Sequence, residues 1–220
     1  MEISLSPRLL LCSTFVKPGD RVADVGCDHG YLGIHLLKKN IASFVFASDI
    51  NPGPLSSAVR NAEKYEVADQ MSFHLSAGVK DVPRDFDTMI CAGMGADTMV
   101  SILEDAPWLR NNKYRFILQC QSKAPLLRSY LWANSWDIRQ EKAVKDGRFI
   151  YTVMEVVRGE FTPTTPGEAY FSPALLNDKS EEAKQYLRRT VRMLRLSVEG
   201  KGENADITEQ KALQELEELL

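Results

Sequence analysis

The sequence predicts an α/β fold in which a mostly parallel seven-stranded sheet is followed by a coiled-coil-like C-terminal α-helical hairpin. Three observations indicate this class. Short β-rich runs alternate with helical stretches from about residue 20 to residue 135, a β-hairpin pattern comes next, and two amphipathic helices end the chain.

Length and composition fit one domain of ordinary size with several dozen residues left over. The chain has 220 residues, of which 44% are hydrophobic and 26% are charged, and its net charge is -3. No apolar run approaches the roughly 20 residues of a membrane-spanning helix, and residues 1–11 lack the basic segment of a secretion signal. We therefore expect a cytoplasmic protein without membrane contact, and the charge excludes one that coats nucleic acid indiscriminately.

Four cysteines are scattered along the chain, at Cys12, Cys27, Cys91 and Cys120. They form no CxxC pair, and no histidine stands at a spacing typical of a zinc site. We expect reduced thiols in the core and no bound metal.

The elements follow one another from the N-terminus in a regular order. Residues 5–16 have helical spacing and end at the turn sequence of residues 17–20. The five strands that we expect to be parallel are residues 21–25, 44–48, 71–75, 88–92 and 116–119. Helical stretches follow most of them, as βαβ units require.

After Trp136 the pattern changes to two longer β-rich runs, residues 137–144 and 149–157, joined by a turn that contains Asp146-Gly147. A parallel sheet that ends in such a hairpin resembles the Rossmann-like sheet of class I methyltransferases. We expect a first domain at residues 1–160 and a second unit at residues 161–220.

The second unit begins with a proline- and threonine-rich linker at residues 161–173. Residues 177–199 and 208–220 carry apolar stripes at helical spacing, and a turn at residues 200–204 would join them as an antiparallel hairpin. Basic side chains on the other faces of the first helix could bind an RNA backbone: Lys184, Arg188, Arg189, Arg192 and Arg195. They could equally be solvated or paired with the acidic segment that follows.

The most informative motif is residues 23–32, which read as a strand end, a sharp loop and a helix start. Gly26 and Gly30 permit the backbone to pass close to a ligand, and the open N–H groups of a helix start can hold its carboxylate. Asp49 ends the next strand, 25 residues after Asp24, where an acid can accept both hydroxyls of a ribose. Single-glycine spacing favours S-adenosylmethionine over a dinucleotide.

Each of these residues also has a structural interpretation. Asp24 could orient the loop, Asp49 could cap a helix, and Asp28 and His29 could be a cap and a solvated imidazole. At the next two strand ends, Ala77-Gly78 would leave adenine recognition to backbone groups, and the small residues around Gly93-Met94 would leave room for a planar ring.

These residues resemble the bacterial tRNA adenine-N1 methyltransferases that act on position 22, the TrmK family. The resemblance covers most of the chain and rests on residues 5–9, 23–32, 53–54, 90–95, 116–119 and 146–149. The pairing of Asp-His-Gly-Tyr-Leu with Gly-Met-Gly is quite specific to that family, and the two-helix tail resembles its C-terminal domain. The chain departs from the family pattern at Ala77, Ala96 and Cys120.

The resemblance implies S-adenosylmethionine as cofactor and tRNA as partner, with the oligomeric state, monomer or weak dimer, left open. The expected cofactor-binding residues are Asp24, Gly26, Cys27, Asp28, His29, Gly30, Asp49, Ile50, Ala77, Gly78, Gly93 and Met94. Adenine N1 needs no prior deprotonation, so the expected role of catalytic residues is to align the base in a pocket that it reaches by leaving the tRNA stack. We expect Tyr31, Met94 and Gln119 to line that pocket and Asp28 to be its polar group.

Three other functions remain open from sequence. A non-catalytic protein of the same fold would bind cofactor or RNA without transferring a methyl group. A small-molecule methyltransferase is disfavoured by the helical tail, and a nicotinamide-dependent dehydrogenase is disfavoured by the missing GxGxxG spacing.

Overall fold

The computed structural model describes residues 3–220, and within that range seven strands and nine α-helices form the regular structure. The strands are β1 Asp20–Val25, β2 Ala42–Asp49, β3 Met71–Leu75, β4 Thr88–Met94, β5 Arg115–Cys120, β6 Trp136–Asp146 and β7 Phe149–Arg158. The helices are α1 Pro7–Thr14, α2 Tyr31–Lys38, α3 Pro52–Lys64, α4 Ala96–Glu104, α5 Ala124–Ala133, α6 Gly167–Tyr170, α7 Pro173–Leu176, α8 Glu181–Lys201 and α9 Ile207–Glu217.

All seven strands belong to one sheet in the order β3-β2-β1-β4-β5-β7-β6. The first five strands run parallel, β7 lies antiparallel to β5, and β6 and β7 form a hairpin. This confirms the predicted fold class. The strand order reverses direction between β1 and β4, and a crevice forms outside the carboxyl ends of parallel strands at such a point.

Helices cover both faces of the sheet because the central strands are apolar on both sides. In β1, Val22 points to the layer that holds α1, α2 and α3, whereas Ala23 and Val25 point to the layer that holds α4 and α5. In β4, Ile90 and Met89 alternate in the same way. Burying an aliphatic side chain of this kind contributes about 1.5–3 kcal/mol, so the two layers supply most of the stability that fixes the strand ends.

The helical tail forms the predicted antiparallel hairpin, but several predicted boundaries were wrong, including the end of the second helix, which lies at Glu217 instead of residue 220. The first tail helix begins at Glu181 instead of residue 177, because Ser180 caps it by accepting the N–H of Ala183 at 3.1 Å. The predicted turn at 200–204 begins later: α8 runs through Lys201, and Gly202 then ends it with a positive φ of 53°. The linker also contains the short helix α6.

Apolar and charged contacts hold α8 and α9 together and place them on the sheet. The pairs Arg195–Glu217 and Lys201–Glu209, both at 2.6 Å, cross the hairpin and show that the helices are antiparallel. The buried stripe of α8 packs against α9, α7 and Ala143 of β6. The tail therefore lies against the end of the sheet that carries the β-hairpin.

A buried ion pair joins the segment before α8 to the sheet. Arg128 of α5 donates to Glu141 of β6 at 2.7 Å, and both side chains are fully buried. Ser172 donates to the other carboxylate oxygen of Glu141 at 2.5 Å, and Arg128 also donates to the carbonyl of Ala169 at 2.8 Å. The expected linker is thus fixed to the sheet by hydrogen bonds to a buried charge pair.

The four cysteines are buried and free, which confirms the expectation of core thiols. Burial raises the pKa of Cys12 to about 12 and raises that of Cys91 further, so neither thiol is a nucleophile at neutral pH. Within residues 3–220, no helix has the length and apolar character needed to cross a bilayer. The same residues contain no cluster of three His, Cys, Asp or Glu side chains suited to a metal ion.

Candidate functional site

A cavity of about 750 Å³ opens at the carboxyl ends of β1, β2, β3 and β4. Eight residues expected from sequence to bind the cofactor line it: Gly26, Asp28, Asp49, Ile50, Ala77, Gly78, Gly93 and Met94. The cavity lies where the strand order reverses, so residues far apart in sequence meet there because of sheet topology.

Asp49 is the side chain that the fold positions most firmly in this cavity. It is 8% exposed, and its two carboxylate oxygens accept the N–H groups of Asp28 at 3.1 Å and Asn51 at 2.8 Å. Each carboxylate oxygen can accept a second hydrogen bond. Asp49 thus combines the structural role considered from sequence with free acceptor capacity toward the cavity.

The two glycines of the first loop serve different purposes. Gly26 has a φ of 70°, in the left-handed region that favours glycine, and a Cβ there would collide with the Cε of Met94, which lines the cavity. Gly30 has a φ of 74°, but its Cβ would lie 2.9 Å from the Cβ of Ala58. Gly30 is therefore required where α3 packs against the loop, outside the cavity lining.

Asp24 and Cys27 are buried behind the cavity lining. The Oδ2 atom of Asp24 has no hydrogen-bond partner among the described residues. Burial raises the pKa of Asp24 to about 7, the N–H of Gly33 opposes the shift, and the charge of Asp49 adds to it. Asp24 is therefore neutral below that pH, and ligand contact by Asp24 and Cys27 remains a prediction.

Gln119 organises the cavity wall from behind. It is fully buried, and its Oε1 accepts the N–H of Gly93 and the Nη1–H of Arg8, both at 3.0 Å. Its Nε2 donates to the carbonyl of Cys120 at 3.2 Å. Gln119 does not line the cavity in this structure, so its geometry is that of a positioning residue.

Arg8 lines the cavity and was not among the predicted site residues. Besides Gln119, it contacts Asp146 at the end of β6, with 3.3 Å between Nε and Oδ2. The only signal in the sequence was its place in residues 5–9, which carry the family resemblance.

His29 and Tyr31 lie outside the cavity lining. The His29 Nε2 atom is 3.7 Å from Oδ1 of Asp28, and its imidazole is about half exposed. The ring centroids of His29 and Tyr31 are 6.1 Å apart, and Tyr31 is 40% exposed at the start of α2. Their roles at the cofactor and the target base remain predictions.

The first turns of α4 supply polar groups that the sequence analysis did not identify. Asp97, Thr98 and Ser101 face the cavity. Asp97 also forms an ion pair with Lys123 at 2.7 Å, across to the loop after β5. Their helical spacing could have indicated a shared face, but only the fold shows that this face borders the cavity.

Of the three departures from the family pattern, only Ala77 lines the cavity. Ala96 is fully buried, and its N–H donates to the carbonyl of Ser122 at 3.1 Å. The thiol of Cys120 donates to the same carbonyl at 2.9 Å. The N–H of Ala96 therefore joins the loops after β4 and β5, whereas the bond of Cys120 lies within the second loop.

The five basic residues predicted to bind RNA do not form one uniform surface on α8. Lys184 and Arg188 lie 4.0 and 3.1 Å from Glu181, and Arg195 pairs with Glu217. Arg189 covers the ring of Phe149 at 5.8 Å, and Arg192 is exposed. Binding of RNA by these side chains remains a prediction.

Comparison with known families addresses the chemistry of the cavity. A family model described as "Methyltransferase domain" matches residues 5–154, which include every strand from β1 to β5 and most of the terminal hairpin. The chain belongs to this methyltransferase family.

Two curated relatives of this chain are named as tRNA methyltransferases. A Mycoplasma genitalium protein named putative tRNA methyltransferase is 34% identical over 61% of each chain. The tRNA (adenine(22)-N(1))-methyltransferase of Bacillus subtilis is 29% identical over 72% of this chain and 67% of its own length. The alignment thus spans about three fifths of the first relative and two thirds of the second.

The solved structure of a similarly described protein matches nearly the whole chain. The Streptococcus pneumoniae protein described as a putative tRNA (m1A22) methyltransferase has a TM-score of 0.88 and 25% identity, and it covers 99% of this chain and 100% of its own. The same protein has been solved in complex with S-adenosyl-L-methionine. Together these similarities confirm the expected membership of the bacterial TrmK family.

Proposed function

We propose that this methyltransferase transfers the methyl group of S-adenosylmethionine to the N1 atom of an adenine in tRNA, at position 22. The observation that carries the proposal is the Asp49 carboxylate, held by two backbone N–H groups at the edge of a cavity at the strand-order reversal. Family membership supplies the reaction class, and the named activities of the relatives supply the substrate.

The cavity residues fit S-adenosylmethionine. The remaining acceptor capacity of Asp49 matches the two hydroxyls of a ribose. The positive φ of Gly26 lets the backbone turn sharply at the end of β1, and a volume of about 750 Å³ suits a ligand of this size. Ala77 and Gly78 have no polar side chain, so the backbone at the end of β3 would recognise the adenine of the cofactor.

When bound, the cofactor supplies an electrophilic sulfonium methyl group. Adenine N1 carries an in-plane lone pair, so the protein needs no general base to activate it. Gln119 fixes the N–H of Gly93 and the guanidinium of Arg8, and this holds the wall formed by β4 in one position. The residues therefore act by alignment and by excluding water.

The target base must leave its stack in the tRNA to reach this cavity. We assign cofactor binding and methyl transfer to residues 1–160, and we assign tRNA binding chiefly to the unit at residues 161–220. The basic residues of α8 support the second assignment, since phosphate contacts dominate RNA affinity. A location in the cytoplasm, where tRNA is available, is part of the proposal.

Methylation of an unmodified tRNA transcript by purified protein and labelled S-adenosylmethionine tests the function. We expect one labelled 1-methyladenosine, mapped to position 22, and none in a transcript with guanosine at that position. Cofactor binding without transfer to any tRNA would contradict the proposal and would favour a non-catalytic paralogue.

A further inference from the structure

A second groove, of about 640 Å³, lies between α8, the start of β7 and the loop after β5. It is distinct from the methyl-transfer cavity. Lys123 lines the groove and forms an ion pair with Asp97, which lines the cavity. The N–H of Gln121 in the groove wall donates to the carbonyl of Met94 in the cavity wall at 2.8 Å. One thin ridge therefore separates the two spaces.

One wall of the groove is an exposed face of α8. Arg189, Met193 and Ser197 stand at a spacing of four residues, which places them on the same side of the helix. Met193 is 59% exposed, although the adjacent stripe of α8 is buried against the rest of the tail. The groove face thus borders the face that stabilises the hairpin, and Leu194 belongs to both.

The opposite wall carries aromatic rings at the start of β7. Phe149 is 39% exposed, and its ring centroid lies 6.0 Å from that of Tyr151. Two guanidinium groups lie against the Phe149 ring: Arg148 at 4.9 Å and Arg189 at 5.8 Å from its centroid. One ring therefore brings together cations from the β-hairpin and from the tail helix.

The side chains that the structure describes leave these two arginines without a carboxylate partner. Among the described side chains, neither Arg148 nor Arg189 forms an ion pair or a hydrogen bond with a carboxylate, whereas Arg188 and Arg195 of the same helix do. Two guanidinium groups held against one exposed aromatic ring match a phosphodiester next to an unstacked base.

We propose that this groove binds the RNA strand adjacent to the target adenosine, with Arg148 and Arg189 on a phosphate and the aromatic wall against one unstacked nucleotide. The inference rests on the proposed function, because the groove would meet the strand beside the target adenosine only if the cavity holds that adenosine. The ridge formed by Gln121 and Lys123 is all that separates the groove from the cavity. It assigns to Arg189 of α8 and to Arg148 of the turn between β6 and β7 a role that the other basic residues of α8 do not share.

The test compares Arg148→Gln/Arg189→Gln with Arg139→Gln, which removes an exposed arginine on β6 paired with Asp137. Direct tRNA binding is measured across a salt series, together with the KM for tRNA and the Kd for S-adenosylmethionine. We expect the double variant to weaken tRNA binding at least about tenfold. The slope of the logarithm of the tRNA binding constant against the logarithm of the salt concentration should fall in magnitude by about one to two. The affinity for S-adenosylmethionine should stay within about twofold of the wild type. Arg139→Gln should match the wild type.

Substitution of Phe149 separates stacking from general apolar contact. Phe149→Tyr should bind tRNA like the wild type, whereas Phe149→Leu should weaken binding about three- to tenfold, since a base stacks on a ring.

Equal tRNA affinity of the arginine double variant and wild type would overturn the inference, as would failure of the wild type to bind tRNA. If the wild type binds tRNA but transfers no methyl group, only the proposed function fails, and the affinity ratios still decide the role of the groove.

Discussion

The carboxylate of Asp49 accepts the backbone N–H of Asp28 at 3.1 Å, so the ends of β2 and β1 are fixed to each other across 21 residues of sequence. Its other oxygen accepts the N–H of Asn51 at the start of α3. One side chain thus shapes the loop that borders the cavity and keeps acceptor capacity for a ligand. The interpretations of Asp49 as a structural acid and as a ligand residue are compatible.

Replacing Asp49 by Asn should weaken S-adenosylmethionine binding about 10- to 100-fold. A charge-assisted hydrogen bond contributes about 1.5–3 kcal/mol, and the amide would also turn one acceptor into a donor facing either a backbone N–H or a ribose hydroxyl. Isothermal titration calorimetry measures the change. Asp69→Asn, at an exposed position in the turn before β3, is the matched control and should bind the cofactor normally.

Replacing Gln119 by Ala should lower kcat for tRNA methylation by about 10- to 100-fold with a smaller change in cofactor Kd. The N–H of Gly93 and the guanidinium of Arg8 would lose their common acceptor, and a buried donor left unpaired costs about 1–3 kcal/mol. Gln119→Glu retains an acceptor oxygen and should keep more activity than Gln119→Ala. Equal losses in both variants, or a loss confined to thermal stability, would contradict the positioning role.

The raised pKa of Asp24 predicts a stability that falls as pH rises. Between the ordinary value of 3.8 and about 7, the folded protein holds a proton at Asp24 that the unfolded chain has released. The free energy of unfolding should therefore decline through this window, by up to about 4 kcal/mol relative to Asp24→Asn. Urea denaturation of both proteins at several pH values checks this, and parallel pH profiles would show that Asp24 ionises normally.

Loss of the buried partner of Arg128 should destabilise the protein strongly. Glu141→Gln leaves a buried guanidinium without a counter-charge, and breaking such a pair costs about 3–5 kcal/mol. Limited proteolysis should also cut the segment 161–180 faster, because that segment is bound to the pair through Ser172 and the carbonyl of Ala169. Asp85→Asn, which breaks the largely exposed ion pair with Arg21, should cost less than about 1 kcal/mol.

The sequence predicted the sheet and the cofactor edge because their signals are local. Each strand has an apolar run, and Asp49 directly follows one of them, so topology alone brings it to the first loop. Arg8 could not be found in this way: its partner Gln119 is 111 residues away, and only the folded sheet brings them together. The sequence did single out Gly30, but it could not show that a Cβ there would meet Ala58 on another helix.

The tail shows a different limit. Apolar periodicity correctly predicted two antiparallel helices, but residues 177–180 have no feature that excludes helix, and the start of α8 is set by the cap at Ser180. Periodicity also did not predict the groove face of α8, because only the fold shows that the exposed Met193 faces the start of β7.

A crystal structure of the protein with S-adenosylmethionine tests the location and orientation of the site most directly. We predict the ribose hydroxyls within about 3 Å of the Asp49 carboxylate and the methyl group directed into the cavity beside Gly93 and Met94. A cofactor bound elsewhere, or an Asp49 side chain turned away from the ribose, would contradict this account.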